Sequence, residues 1–73
     1  MADIDESRDL GRIIANRRKA LGVTQQDLAA LAGVSTRFLS SLERGKTTVR
    51  LNTMLAVLDA LGLRLDIAIR ERA

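Results

Sequence analysis

Apolar residues recur three or four positions apart in four successive stretches of the chain, and this spacing predicts four amphipathic helices. The predicted helices span residues 7–21, 24–33, 35–45 and 50–61. The positions expected to face the core are Leu10, Ile13, Ile14, Arg17 and Leu21 in the first helix, Leu28 and Leu31 in the second, Val34, Leu39 and Leu42 in the third, and Leu51, Met54, Leu55, Leu58 and Leu61 in the fourth.

Helix starts and ends are marked by residues of suitable type. The run "TQQD" from Thr24 has the spacing of a capping box in its Asp variant, and Ser35 is suited to cap the third helix. A glycine closes each periodic stretch, as is common at helix C-termini. These glycines are Gly22, Gly33, Gly45 and Gly62.

The segment "LRLDIAIRE" alternates apolar and polar residues with a period of two, which predicts a β-strand over residues 63–70. Its apolar positions are Leu63, Leu65, Ile67 and Ile69. A single strand has unpaired backbone groups, so the pattern indicates antiparallel pairing with the same strand of a second copy. A frayed tail or an additional helical turn is the alternative interpretation.

Composition narrows the function classes. The 73 residues predict one domain, residues 1–73. The chain has no cysteine and no histidine, so disulfides, thiolate metal sites and the commonest general base are excluded, and we expect neither a metal nor a cofactor. A chain this short has little room for a substrate pocket beside a core, so we do not expect an enzyme. No apolar run approaches the roughly 20 residues of a membrane span, which favours a cytoplasmic protein.

Positive charge is concentrated in the middle of the chain. Residues 10–50 carry eight basic groups and two acidic ones, a net charge of +6, whereas residues 1–9 have a net charge of −3. Such a concentration suggests a polyanionic partner, and an ordinary solvated surface is the alternative.

The outward positions of the third predicted helix carry hydroxyl and guanidinium groups, although serine and threonine are poor helix formers. Together with the second helix and the short turn "AGVS" it forms a helix-turn-helix. Residues 10–62, and above all "RRKALGVTQQDLAALAGVSTRFLSSLERGK" followed by "LNTMLAVLDALGL", resemble the Xre/Cro family of bacterial and phage repressors. The run "STRFLSSLERGKTTVRL", the fourth helix and the C-terminal strand together are most similar to HipB-type antitoxins.

The resemblance implies an all-α, four-helix, lambda-repressor-like domain with a C-terminal strand paired across a homodimer. It also implies that the third helix enters the major groove of double-stranded DNA at a palindromic operator. Residues at the family's base-reading positions are Thr36, Arg37 and Ser41, with Ser40 near the groove edge. Residues expected to contact phosphates are Gln25, Ser35, Arg44, Lys46 and Thr47.

Two further residues match a structural pair of the family. Arg18 and Glu43 are expected to join the first helix to the end of the third, so Arg18 is not a predicted DNA contact. Phe38 is expected to pack in the core and not to stack on bases.

The resemblance predicts a repressor that acts as the antitoxin of a HipBA-like type II operon and neutralises a HipA-like serine/threonine kinase toxin. A solitary Xre-family regulator and a protein-binding module without DNA are the alternatives. An indifference of DNA affinity to salt would favour the protein-binding module.

Overall fold

The computed structural model describes residues 6–46 and 48–66, which form four α-helices. Helix α1 spans Glu6–Ala20, α2 spans Gln25–Ala32, α3 spans Thr36–Glu43 and α4 spans Leu51–Ala60. The four predicted helices are confirmed. Thr24 and Ser35 lie just outside the helices as N-caps, as their capping chemistry predicts.

The core lies where α2 packs against α3 and α4 while α1 packs against α3. It contains only aliphatic residues and methionine. The buried residues are Ile14, Leu28, Ala29, Leu39, Leu42, Met54, Val57, Leu58 and Leu61. Phe38 is half-buried and packs against this cluster, which confirms its predicted structural role.

Several apolar residues that were predicted to face the core are exposed, and for these the prediction is wrong. They are Ile13, Leu21, Leu31, Leu51 and Leu55, with exposed fractions of 53%, 46%, 70%, 62% and 41%. The periodic stripe on these helices is wider than the surface that the neighbouring helices of this small domain cover. Residues at the edges of the stripe therefore remain accessible within this single chain.

Gly11 marks the closest approach of two helices. It is buried, and a Cβ atom at this position would lie 2.4 Å from the carbonyl oxygen of Leu42 and 2.8 Å from that of Glu43. Only a residue without a side chain lets α1 cross the end of α3 at this distance. Gly11 is the one glycine that does not close a helix, and its position in the sequence predicted no role for it.

Arg17 joins α1 to the end of α4. It was predicted on the core stripe, and its Nε atom donates a hydrogen bond of 3.0 Å to the carbonyl oxygen of Leu61. Leu61 is the C-cap of α4, so this bond satisfies a helix-terminal carbonyl with a cationic donor.

The predicted strand lies only partly within the described residues. Residues 63–66 belong to neither a helix nor a strand, and Ile67 and Ile69 lie outside the described part of the chain. A strand requires a neighbouring strand for its backbone hydrogen bonds, and the described residues of one chain contain no strand that could pair with residues 63–66. Leu63 packs against the core, whereas Leu65 is 47% exposed. Among the described helices, none is long and apolar enough to cross a membrane.

Candidate nucleic-acid interface

The turn between α2 and α3 is built from local hydrogen bonds. Gly33 has a φ of 73°, the left-handed conformation that ends α2, and the backbone N–H of Val34 donates to the carbonyl oxygen of Ala29 at 2.9 Å. The hydroxyl oxygen of Ser35 then accepts a hydrogen bond of 3.0 Å from the backbone N–H of Phe38 and starts α3. These bonds set the relative direction of the two helices without using the outer face of α3.

The outer face of α3 carries the residues that were predicted to read bases. At about 100° per residue, the positions 36, 37, 40, 41 and 44 fall within an arc of about 140°. The opposite side of the helix holds the buried residues Leu39 and Leu42. Thr36, Arg37 and Arg44 are exposed, and Ser40 and Ser41 are half-buried. The structure therefore brings the predicted base-reading residues together on one accessible face.

One pair on this face is already connected. An Nη atom of Arg44 donates to the hydroxyl oxygen of Ser40 at 3.3 Å, along one turn of the helix. The guanidinium group of Arg44 therefore lies over the helix surface beside Ser40. This contact joins a predicted base-reading residue to a predicted phosphate-binding residue.

A partly buried ionic cluster holds the C-terminus of α3. Arg18 donates from Nε to Glu43 Oε2 at 2.7 Å and from a terminal nitrogen to Glu43 Oε1 at 2.9 Å, which confirms the predicted pair. The side chains of Arg18 and Glu43 are only 11% and 7% exposed. Arg18 also donates to the carbonyl oxygen of Val23 at 2.9 Å, so the cluster binds the loop between α1 and α2 as well.

Gln25 completes this cluster through a contact that the sequence pattern did not predict. Its side-chain Nε2 atom donates to Glu43 Oε1 at 3.0 Å. Gln25 is the first residue of α2 and a predicted phosphate contact. Glu43, which belongs to the structural pair with Arg18, therefore holds the side chain of a predicted phosphate-binding residue. The available sequence signal was Glu43 at the end of α3, which is one of only two acidic residues in the basic stretch 10–50.

The ionisation of Glu43 follows from this environment. Burial raises the pKa of the carboxyl group, but the hydrogen bonds from Arg18 and Gln25 and the positive charges of Arg18 and Lys19 outweigh it. The pKa of Glu43 therefore lies below its ordinary value of 4.5. Hydrogen bonding to Glu43 raises the pKa of Arg18. The pair is charged at neutral pH, and Arg18 is not free to bind a phosphate.

The flanks of the face hold the remaining predicted residues. Lys46 follows Gly45, is exposed, and donates its backbone N–H to the carbonyl oxygen of Ser41 at 3.1 Å. Thr47 lies outside the described residues. Arg50, which was not among the predicted site residues, is exposed at the N-cap of α4 and makes no side-chain capping bond there. Its position beside the positive end of a helix adds to the basic flank.

Comparison with known proteins gives a consistent result. The profile of the family described as "Helix-turn-helix" matches residues 14–67. The HTH-type transcriptional regulator y4mF of Sinorhizobium fredii is 41% identical over 59 residues, covering 81% of this chain and 78% of the relative. A second HTH-type regulator of that organism, y4dJ, is 35% identical over 60 residues, covering 82% of this chain and 78% of the relative.

Two solved structures have the same fold. The restriction-modification controller protein C.AhdI from Aeromonas hydrophila superposes with a TM-score of 0.76 at 28% identity, covering 84% of this chain and 92% of that one. The clp gene regulator ClgR from C. glutamicum superposes with a TM-score of 0.71 at 33% identity, covering 86% of this chain and 80% of that one.

Proposed function

This chain belongs to the helix-turn-helix family of transcriptional regulators, and on that premise we propose that it is a sequence-specific repressor whose α3 enters the major groove of DNA. The observation that carries the proposal is the exposed hydroxyl and guanidinium face of α3, which lies opposite its buried leucines. Hydroxyl and guanidinium groups can form hydrogen bonds with base edges in the major groove, and the short Ser and Thr side chains leave room for the helix to approach those edges.

Base reading is assigned to the exposed end of this face. Arg37 can donate two hydrogen bonds to guanine O6 and N7, a contact worth about 1–3 kcal/mol of discrimination. Thr36 and Ser41 can accept or donate, or contact a thymine methyl group. Ser40 is assigned to base reading at the groove edge, and Arg44, which donates a hydrogen bond to it, is assigned to phosphate binding.

Phosphate binding is assigned to residues around this face, and it fixes the register of the protein on DNA without reading sequence. Ser35 accepts its capping bond through its oxygen, which leaves the hydroxyl proton for a phosphate. The other assigned residues are Gln25, Arg44, Lys46 and Thr47.

We extend the proposal to a homodimer at a palindromic operator. Two copies with α3 helices about 34 Å apart would read successive major grooves on one side of the duplex. One support is the alternating sequence of residues 63–70, whose apolar positions are Leu63, Leu65, Ile67 and Ile69. The other is the set of leucines that are exposed in the described residues, Leu51 and Leu55 of α4 and Leu65 after it. Apolar side chains exposed in a single chain are candidates for burial against a second copy.

The finer proposal is an antitoxin that represses its own operon and binds a HipA-like serine/threonine kinase toxin. It is supported by the similarity of residues 35–70 to HipB-type antitoxins. The alternative is a regulator without a toxin partner, and it is favoured by the similarity to C.AhdI and ClgR, which are regulators of other systems. Co-expression with the product of the neighbouring gene, followed by copurification, separates the two: a stable complex with a kinase supports the antitoxin, and its absence supports the solitary regulator.

The test of DNA reading begins with selection of a preferred site from random duplexes. Affinity should fall steeply with rising salt, because bound phosphates release counterions. Arg37→Ala should weaken the preferred site about tenfold or more, while random DNA is affected much less. Lys46→Ala is the matched control, since it removes the same charge and should weaken both DNAs by the same factor. An equal loss on both DNAs with Arg37→Ala would make Arg37 a phosphate contact.

The dimer is tested by truncation. Leu63 packs against the core and should be kept, so the truncated chain ends after Arg64. Sedimentation should then report a monomer where the full chain gives a dimer. A truncated chain that remains dimeric would place the interface elsewhere, with the exposed leucines of α4 as the next surface to change.

A further inference from the structure

The contact between Gln25 and Glu43 has a function beyond stability. We propose that Glu43 is a positioning residue that holds the side-chain amide of Gln25 ready to donate a hydrogen bond to a DNA phosphate. This inference rests on the proposed function, because it describes how one of its phosphate contacts is prepared.

The orientation of the Gln25 amide is fixed by the chemistry of its partner. An ionised carboxylate only accepts hydrogen bonds, so the amide must turn its nitrogen toward Glu43 and its oxygen away. The 3.0 Å contact uses one of the two N–H groups on Nε2. The second N–H group is not used by this contact and remains available as a donor in the plane of the held amide.

Arg18 makes this arrangement compatible with a bound phosphate. An unpaired carboxylate 3.0 Å from the donor of Gln25 would repel a phosphate at the same place. Arg18 binds both oxygens of Glu43 and neutralises it, and Glu43 still accepts from Gln25. The cluster therefore supplies an acceptor that orients Gln25 without presenting a net negative charge.

A Gln25 side chain that is already ordered before DNA binds should increase the affinity of the protein for DNA. A free glutamine side chain loses much of its rotamer freedom when it binds, and a side chain that is already held loses little. The neighbouring Gln26 is exposed, and its side chain makes none of the hydrogen bonds found among the described residues, so it serves as an internal reference.

The test compares two backgrounds in which the buried pair is replaced by neutral residues. The amide background, Arg18→Met with Glu43→Gln, keeps an acceptor for Gln25, whereas the apolar background, Arg18→Met with Glu43→Leu, removes it. Both backgrounds lose the bond to Val23 and the two charges of the pair, so they share these losses and are distinguished by whether residue 43 offers Gln25 an acceptor. Replacement of a buried pair by uncharged residues is compatible with folding, which thermal melting followed by circular dichroism verifies. Gln25→Ala is then introduced into each background and into the wild type.

Affinity is measured by fluorescence anisotropy on a duplex of random sequence, which reports phosphate contacts alone. We expect Gln25→Ala to weaken binding about tenfold in the wild type and less than about twofold in the apolar background. In the amide background the loss should lie between these values, because the side chain of Gln at position 43 accepts from Gln25 but can also donate to it, and so orients it less strictly than a carboxylate. An equal loss in both backgrounds would overturn the proposal, because Gln25 would then act without an oriented partner. No salt-dependent DNA binding by the wild type would instead overturn the proposed function, and this inference with it.

A second measurement needs no variant. In ¹⁵N relaxation of the free wild-type protein, the side-chain amide of Gln25 should be nearly as rigid as the backbone, while that of Gln26 is mobile. Equal mobility of the two amides would show that Glu43 does not hold Gln25, and would overturn the proposal.

Discussion

The crossing of α1 over the end of α3 provides a direct test of the packing described above. Gly11→Ala adds one methyl group at a buried position, where it meets the carbonyl oxygens of Leu42 and Glu43 at 2.4 and 2.8 Å. An ordinary van der Waals contact for a Cβ atom begins at 3.4 Å, so α1 and α3 must separate by about 1 Å. The obstructing atoms belong to the backbone, and a change of rotamer cannot relieve the overlap.

Two opposing effects determine the size of the change. Overpacking of a core contact costs about 1–3 kcal/mol, and a backbone obstacle places this substitution toward the upper end. Alanine is a better helix former than glycine by about 1 kcal/mol, which offsets part of the loss. The net prediction is a destabilisation of about 1–2 kcal/mol. For a domain of this size, that lowers the Tm by roughly 5–15 °C.

Thermal unfolding followed by circular dichroism measures the change, and Asn16 supplies the control. Asn16 is exposed on α1, so Asn16→Ala should be more stable than Asn16→Gly by about 1 kcal/mol through helix propensity alone. At position 11 the order should be reversed, with glycine more stable than alanine. If Gly11→Ala leaves the Tm unchanged or raises it, the helices are not in the contact described here.

Three further predictions concern single bonds. In the wild type the pKa of Glu43 is lowered, so its ionised form stabilises the fold at pH values above its ordinary pKa of 4.5. This stability is lost as pH falls through the folded-state pKa. Arg18→Met leaves the partly buried carboxyl group of Glu43 without its compensating cation, so burial should then raise the pKa of Glu43 and protonation should stabilise the fold. The Tm of this variant should therefore rise when pH is lowered from about 7 to about 5, and a Tm that falls would contradict this. Ser35→Ala removes the cap of α3 and should cost about 1 kcal/mol in urea unfolding, whereas Ser35→Asp should retain most of the stability. Arg17→Met keeps the aliphatic stem but loses the bond to the carbonyl of Leu61, and a loss of about 1 kcal/mol is expected; no loss would show that water satisfies that carbonyl equally well.

The parts of the fold that were predictable from sequence are those determined by neighbouring residues. Thr24 and Ser35 were identified as caps because their hydroxyl groups can reach a backbone N–H three residues later, and both bonds are present. The pairing of Arg18 with Glu43 is a contact over 25 residues, and no local rule predicts it. It was anticipated only through the resemblance to a known family.

The parts that were missed depend on how helices meet. Leu31 and Leu51 satisfy the helical period, yet they are 70% and 62% exposed because periodicity does not specify how much of a stripe a neighbour covers. The sequence pattern gives no reason for Gly11 inside a helix, because the reason is the close approach of the end of α3, which only the three-dimensional structure shows. The bond between Gln25 and Glu43 likewise requires the angle between α2 and α3, which the sequence pattern does not contain.

A helix that binds DNA bases must keep one face exposed. The rest of the protein can therefore fix its position only through contacts with its opposite face and with its two ends. In α3 the inner side is held by Leu39 and Leu42, the start by the cap of Ser35, and the end by Glu43. Apolar replacement of a buried ion pair is often neutral or stabilising, so stability alone does not explain the use of charges at that end. Arg18 of α1 and Gln25 of α2 donate directional hydrogen bonds to Glu43, and we expect such bonds to restrict the rotation of α3 about its own axis more than apolar packing would. On this view, the buried pair determines which side chains of α3 face the groove, and an apolar replacement should preserve folding while it reduces discrimination between DNA sequences.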